Sequence, residues 1–457
     1  MSNTKPDIAA PHDPYASLRS ANYRDYLLGS FLSSIGRQAV TIAASWEIYQ
    51  WTHSATALGL VGLVNVLPVL ALSLPAGALA DRRDRRRIIA LAQLTLMGLS
   101  AALALLSIFH AHLPAWAPLR WGNGLLREIA AVFERHADPA KLRFVEPALP
   151  LMFLLLFAMA GARILAWPAR TAIIPCLLPT ASLTNGITWN SSASEVANMI
   201  GPALGGFLVA GAGFPAVYGL DVVLGGIFCL LLRRVVYCAP PQPATEIRSW
   251  RSLLAGVEFI WHKRIIFGAS MLDLFATLLG GAIALLPIFA DQILHVGPIG
   301  LGWLRAAPSI GAFSMAMWIA HHPPMRRPGR ILLWAVAAFG ASIVVFGFST
   351  WFWLSFLALI LSGAFDNVSV VVRQSLVQLL TPDELRGRVT GVNQVFIGSS
   401  NELGALRAGL MAASLGAVVS TVFGGICTIL VVFAVTEMVP SLRDLPGLHT
   451  LRPEKPD

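Results

Sequence analysis

Charged side chains stranded inside apolar stretches are the first candidates for chemistry. Arg37, Arg163, Asp273 and Asp366 each interrupt a long run of Leu, Val, Ile, Ala and Phe. Glu195, Asp221, Arg305, Glu402 and Arg407 do the same in other runs, and Glu47 stands near the end of one, where it is expected to snorkel outward. A charge in hydrocarbon costs about 2.5–3.5 kcal/mol per residue on insertion scales, so such groups should face a cavity or a partner. A desolvated carboxyl holds its proton more tightly, and a neighbouring arginine releases it. An aspartate whose arginine partner changes with conformation is therefore a proton switch, and Asp366 or Asp273 is the expected carrier. Phe31, Trp46, Trp167, Trp189 and Phe365 offer aromatic faces to a cargo. No phosphate-cradling loop, nucleophile triad or metal-ligand spacing appears, and Cys176, Cys229, Cys238 and Cys427 form no CxxC pair. Neither an enzyme, a metal site nor a cofactor is expected.

The elements that must position these groups are membrane helices. Of 457 residues 56% are hydrophobic and only 12% charged, about half the charged share of a soluble domain. Twelve runs are long enough to cross a bilayer, at roughly 27–50, 57–80, 88–110, 148–169, 186–210, 215–236, 266–290, 299–320, 331–349, 351–372, 389–412 and 416–438. The joint after the second run holds Arg82, Arg83, Arg85, Arg86 and Arg87; later even-numbered joints hold Arg326, Arg327, Arg330, Arg386 and Arg388. Positive charge marks the cytoplasmic side, so both termini are expected inside. The net charge of +9 suits anionic lipid better than nucleic acid. Residues 1–22 lack the apolar core of a signal peptide and read, like 439–457, as a cytoplasmic tail without structure. Two segments lie off the membrane. Residues 111–147 carry a helical stripe of Leu125, Leu126, Ile129, Val132 and Phe133 and read as an outer insertion with a short amphipathic helix. Residues 238–264, with Trp250, Leu253, Leu254, Val257 and Trp261 on one stripe, read as a cytoplasmic linker with an interfacial helix.

The chain repeats itself. At a shift of 203 residues Arg170 meets Arg373, Pro179 meets Pro382, Asn190 meets Asn393, Gly201 meets Gly404 and Gly206 meets Gly409. Nearer the start of each half the shift is 243, with Leu58-Gly59 on Leu301-Gly302 and Arg87-Ile88 on Arg330-Ile331. The outer insertion supplies the difference of 40 residues. Arg163 and Asp366 occupy equivalent places with opposite charge. Six spans per half make the repeats parallel, so the expected fold is all-α: an N-terminal bundle over 23–237 and a C-terminal bundle over 265–438, related by a pseudo-twofold axis along the membrane normal.

Two motifs give the chain a resemblance. Gly77-Ala78-Leu79-Ala80-Asp81-Arg82-Arg83-Asp84-Arg85 puts Gly77 and Asp81 on one face at the inner end of the second span. Glycine admits a neighbouring helix, and a carboxylate there is able to pair with an arginine or a helix N-terminus in one conformation only. Gly201-Pro202-Ala203-Leu204-Gly205-Gly206 bends the fifth span and strips one face for packing. The first resembles the loop signature of the major facilitator superfamily, with Asp84 in place of its second glycine. The second resembles the span-5 signature of that superfamily's antiporters. Longer strings, Leu376 to Val389 and Ser400-Asn401-Glu402-Leu403-Gly404 among them, are similar to the exporter branch that includes enterobactin exporters. The resemblance implies twelve helices in two bundles, a path lined by spans 1, 4, 7 and 10, and hence Arg37, Arg163, Asp273 and Asp366 at the substrate or proton site. It implies a conformational gate of Gly77, Asp81, Arg82, Arg85, Gly201, Pro202, Gly205 and Gly206. The expected protein is a monomeric secondary transporter of the bacterial inner membrane, with a small amphipathic substrate and protons as its partners. A metabolite importer of the same fold and a non-transporting receptor or assembly partner are the alternatives.

Overall fold

Water-free surroundings leave an apolar chain one economical solution, a helix that closes its own hydrogen bonds. The computed structural model describes residues 13–113, 117–134, 148–236, 258–322 and 327–445. Among them twelve long helices run back and forth: α1 (Ala21–Thr52), α2 (Ala55–Arg82), α3 (Arg85–Phe109), α4 (Ala148–Leu177), α5 (Thr180–Ala212), α6 (Phe214–Arg234), α7 (Arg264–Ile293, broken at Gly281), α8 (Gly297–Ala320), α9 (Pro328–Phe348), α10 (Phe352–Leu380), α11 (Asp383–Leu415) and α12 (Ala417–Met438). Local chemistry fixes several ends. Ser20 and Ser54 cap α1 and α2 by accepting from the amides of Tyr23 and Ala57. Asp84 caps α3 through the amides of Arg86 and Arg87, at 2.9 and 3.4 Å, so a capping turn stands where the resembled loop has a glycine. Gly213 and Gly416, 203 residues apart, turn the chain between α5 and α6 and between α11 and α12 at φ +80° and +91°.

Packing repeats as the sequence does. In the first half α1 packs on α5 and α6, α2 on α4, and α3 on α4 and α6; in the second, α7 packs on α11 and α12, α8 on α10, and α9 on α10 and α12. The two bundles meet along two seams, α2 with α11 and α5 with α8, which are each other's image under the repeat. Both seams are closed by glycines. A Cβ on Gly59 or Gly409 would strike the other residue's backbone, and so would one on Gly206 or Gly302. Gly59 corresponds to Gly302 and Gly409 to Gly206, so one glycine pair has been used twice.

Several expectations are corrected. The stretch before α1 has structure within its described residues: a turn at Ala16–Arg19 docks on α5, where Asn185 and Trp189 donate to the Pro14 carbonyl at 2.7 and 3.0 Å. The chain after α12 forms a further turn, Pro440–Arg443, which buries Leu442 in the second bundle. Glu47 does not snorkel; it is buried and accepts a 2.6 Å hydrogen bond from the Tyr218 hydroxyl. The insertion does hold a helix, Ala117–Phe133, whose Leu126, Ile129 and Ala130 pack on the first bundle. The interfacial stripe from Trp250 to Val257 lies outside the described residues.

Candidate functional site

The break in α7 and the polar faces of α1, α8 and α11 open a cavity of about 530 Å³ between the bundles, within the range usual for small-molecule sites. Helices α1, α2, α4, α7, α8, α9, α10 and α11 line it. Its charged residues are Arg37, Arg163, Arg305, Asp366 and Glu402. Leu156, Met159, Leu286, Phe339 and Leu359 supply apolar wall.

The arginines are held loosely or not at all. Arg37 donates to Ser34 one turn back on α1 at 3.0 Å. Arg163 donates to the Asn65 carbonyl oxygen at 3.3 Å, and the Asn65 amide donates to Glu402 at 3.3 Å, so Asn65 relays a bridge from α4 across the α2/α11 seam. Arg305 and Asp366 have no hydrogen bond or ion pair among the described residues. Asp273 does not line the cavity. It is 6% exposed and forms an ion pair with Arg373, itself 2% exposed. The pair sits behind the cavity wall, Arg373 lying seven residues beyond Asp366 on α10. The structure thus brings Arg37, Arg163 and Asp366 to one space and leaves Asp273 outside it. Arg163 pairs with Asn65 and makes no described contact with Glu195.

Residue types alone placed Arg305 among the charges interrupting apolar runs, outside the expected substrate or proton site, and assigned nothing to Asn65 or Phe339. The signal was present for Arg305 and Asn65: they lie on α8 and α2, equivalent helices that flank the path on opposite sides. Of the aromatic candidates Phe31, Trp46, Trp167, Trp189 and Phe365, none lines the cavity; Trp189 holds the N-terminal turn instead. Arg407 is a cap. Its guanidinium donates at 2.5 Å to the Leu279 carbonyl, which the break at Gly281 leaves without a helical partner. Gly281 in turn lies against the Gly404 carbonyl, so the break is seated on α11.

On the side away from the termini the cavity is shut. Ile42, Trp46 and Tyr49 of α1 join Leu285 and Phe289 of α7, Leu301 of α8 and Phe346 of α9 in one buried cluster. The Tyr49 hydroxyl donates to Asp291 at 3.1 Å and accepts from Gln292 at 2.9 Å. On the side of the termini the buried clusters stay within one bundle each: Tyr23, Tyr26 and Phe228 in the first, Leu272, Leu332 and Leu376 in the second. Among the described residues every hydrogen bond between bundles lies at the cavity or beyond it on the shut side.

The expected gate residues divide by partner. Gly201 and Gly205 receive α1 at Gln38 and Ala39, while Pro202 and Gly206 face Gly302 and Pro298 of α8. One motif therefore ties α5 to its own bundle on one face and to the other bundle on the next. Gly77 is buried in α2. Arg85 donates to the Ala172 carbonyl at 2.9 Å and to the Cys176 sulfur at 3.2 Å, fixing the joint to α4. Asp81 and Arg82 are exposed and make no described hydrogen bond or ion pair. Among the described residues no cluster of His, Cys, Asp and Glu could hold a metal ion.

Comparison with known proteins agrees with this geometry. The sequence profile of the Major Facilitator Superfamily matches residues 26–397. The enterobactin exporter EntS of Citrobacter koseri is 25% identical over 427 residues, 92% of each chain. The chain superposes on an inward-facing, occupied bacterial homologue of the lysosomal transporter Spinster with a TM-score of 0.63, at 16% identity over 95% of this chain and all of that one. It superposes on a D-xylose–proton symporter with a TM-score of 0.62, at 13% identity over 95% and 100% of the two chains. A multi-pass helical chain with a charged cavity between two like bundles, matched along most of its length by that profile, belongs to the Major Facilitator Superfamily of membrane transporters.

Proposed function

We propose that the protein is a secondary exporter of the bacterial inner membrane, exchanging inward-moving protons for a small amphipathic molecule, drug-like or siderophore-like, by alternating access. The observation that carries the reading is a cavity between the bundles, shut by a buried cluster on one side, with a carboxylate, Asp366, that makes no hydrogen bond or ion pair among the described residues. Positive-inside orientation puts both termini in the cytoplasm, which makes the present state inward-facing. The named likeness to enterobactin exporters favours efflux over uptake. The cavity lies within one chain, so a monomer suffices.

Exchange requires competition. If cargo and proton bound together they would travel together; in an exporter they must claim the same group in turn. Asp366 is that group. Deprotonated, it accepts a hydrogen bond from cargo taken from the cytoplasm; protonated from outside, it loses that bond and lets the empty carrier return. Asp273, held by Arg373, steadies the wall behind it. The outer cluster and glycine seams part when the bundles rock, and the exposed Asp81 is free to find its partner in that other state. Transport in vesicles tests the assignment. Asp366→Asn is expected to abolish cargo efflux driven by a pH gradient while cargo–cargo exchange persists; pH-driven efflux at the wild-type rate in Asp366→Asn contradicts it.

A further inference from the structure

The charges in the cavity do not balance, and the imbalance says what the cargo carries. Three guanidiniums, Arg37, Arg163 and Arg305, face two carboxylates, Asp366 and Glu402. Glu402 is already committed to Asn65, and through it to Arg163. Arg37 has one described hydrogen-bond partner, a serine hydroxyl on its own helix, and the Asp221 carboxylate, which lies against Gly36 outside the cavity lining, makes no hydrogen bond or close ion pair with it. Arg305, on the opposite bundle, makes no hydrogen bond or close ion pair among the described residues, and Glu402 acts on it only from beyond contact. A guanidinium presents five N–H donors in a fixed fork suited to carboxylates and other planar oxyanions. Two half-buried forks from different bundles, Arg37 on α1 and Arg305 on α8, are therefore left with most of their donors unused at mid-membrane depth. A binding site for a cation would leave that cost standing and add repulsion to it.

We propose that the cargo is an anionic amphipath: an acidic group seats on Arg305 and Arg37, an apolar body lies on Leu156, Met159 and Phe339, and a hydroxyl or N–H at its other end donates to Asp366. This rests on the transporter reading above and adds the sign and layout of the substrate. It gives each loose polar group a use, and it leaves Asp366 as the place where proton and cargo compete. Because Arg37 and Arg305 belong to different bundles, an acid spanning both holds the site together only while the bundles keep their present relation.

Binding to the purified full-length protein tests it, with 6-hydroxy-2-naphthoate as probe. Its methyl ester removes the charge, 6-methoxy-2-naphthoate removes the donor, and 2-naphthylmethylammonium reverses the sign. The hydroxy acid is expected to bind at least about tenfold more tightly than the ester, as charge-assisted hydrogen bonds of this kind contribute. It should also exceed the methoxy acid, and the ammonium should bind weakest. Arg305→Gln should erase the preference for acid over ester, and Arg305→Lys should restore part of it, with unchanged thermal unfolding showing that both variants are folded. Equal binding of acid and ester, a preference for the ammonium, no binding of the acid at all, or an unchanged acid preference in Arg305→Gln each overturns the proposal. A methoxy acid as tight as the hydroxy acid overturns the donor at Asp366. These outcomes are independent of the proton-driven efflux lost in Asp366→Asn, so a wrong cargo sign and a wrong transport mechanism are told apart.

Discussion

At the scale of single residues, the structure separates two kinds of buried charge that look alike in sequence. Asp366 faces space; Asp273 faces Arg373. Removing one member of a buried ion pair leaves the other desolvated, whereas replacing both with apolar residues is often neutral. Asp273→Ala and Arg373→Ala are each expected to lower stability by about 3–5 kcal/mol, and Asp273→Leu with Arg373→Met to recover most of it. Chemical unfolding of the three variants checks this; a double variant no better than the single ones would show that the pair does more than satisfy itself. The Asn65 relay yields to the same logic. Asn65→Leu releases Glu402 from its described partner and leaves that carboxylate to compete for Arg305, so a loss of affinity for anionic probes is expected, measurable in the binding assay above. Sequence showed that these positions are charged and lie in spans. It did not show that Asp273 and Arg373 meet, because their separation of 100 residues carries no periodic signal.

At the scale of elements, the helices, their order and the repeat were legible, since each follows from apolar runs and from matched residues at shifts of 203 and 243. The use of the glycines was half legible. Gly201-Pro202-Ala203-Leu204-Gly205-Gly206 reads as a packing face, yet only the structure shows that alternate members serve different bundles, and that Gly206 and Gly302 repeat the contact of Gly409 and Gly59. If the two seams are equivalent, Gly59→Val and Gly302→Val should act alike. Each puts a branched side chain where the facing backbone lies, and each should shift the protein away from the state shut on the outer side. Labelling of a cysteine placed at Trp46, which is 3% exposed in the shut cluster, should speed up in both. Acceleration in only one variant would deny the equivalence. The break in α7 was not legible in Gly280-Gly281, because the cap that makes it tolerable, Arg407 on Leu279, comes from another helix. The outer insertion adds a second tie. Glu134, just past the Ala117–Phe133 helix, accepts from the Ser54 hydroxyl and from the Thr56 amide at 3.0 Å, at the start of α2. The same helix touches α11, so it lies across one seam. Glu134→Ala is expected to speed labelling at Trp46 as well, with the fold retained.

At the scale of the whole molecule, the proposed alternation rests on two like bundles, two equivalent seams and a charged cavity between them. Closure on one side is written in an aromatic and aliphatic cluster shared by both bundles; on the other side each bundle keeps its own core. That contrast was not legible in the sequence, whose apolar runs say where helices form and not which ends of the two bundles meet. The central claim, alternation about the cavity, is open to one direct measurement. With the natural cysteines replaced by serine, spin labels at Gln50→Cys and His295→Cys report the distance across the outer side, and labels at Arg24→Cys and Arg264→Cys report the side of the termini. All four positions are exposed. Double electron–electron resonance should show the outer distance lengthening as the inner one shortens when a seam is opened by Gly59→Val. Two distances that stay fixed, or that lengthen together, would contradict the account.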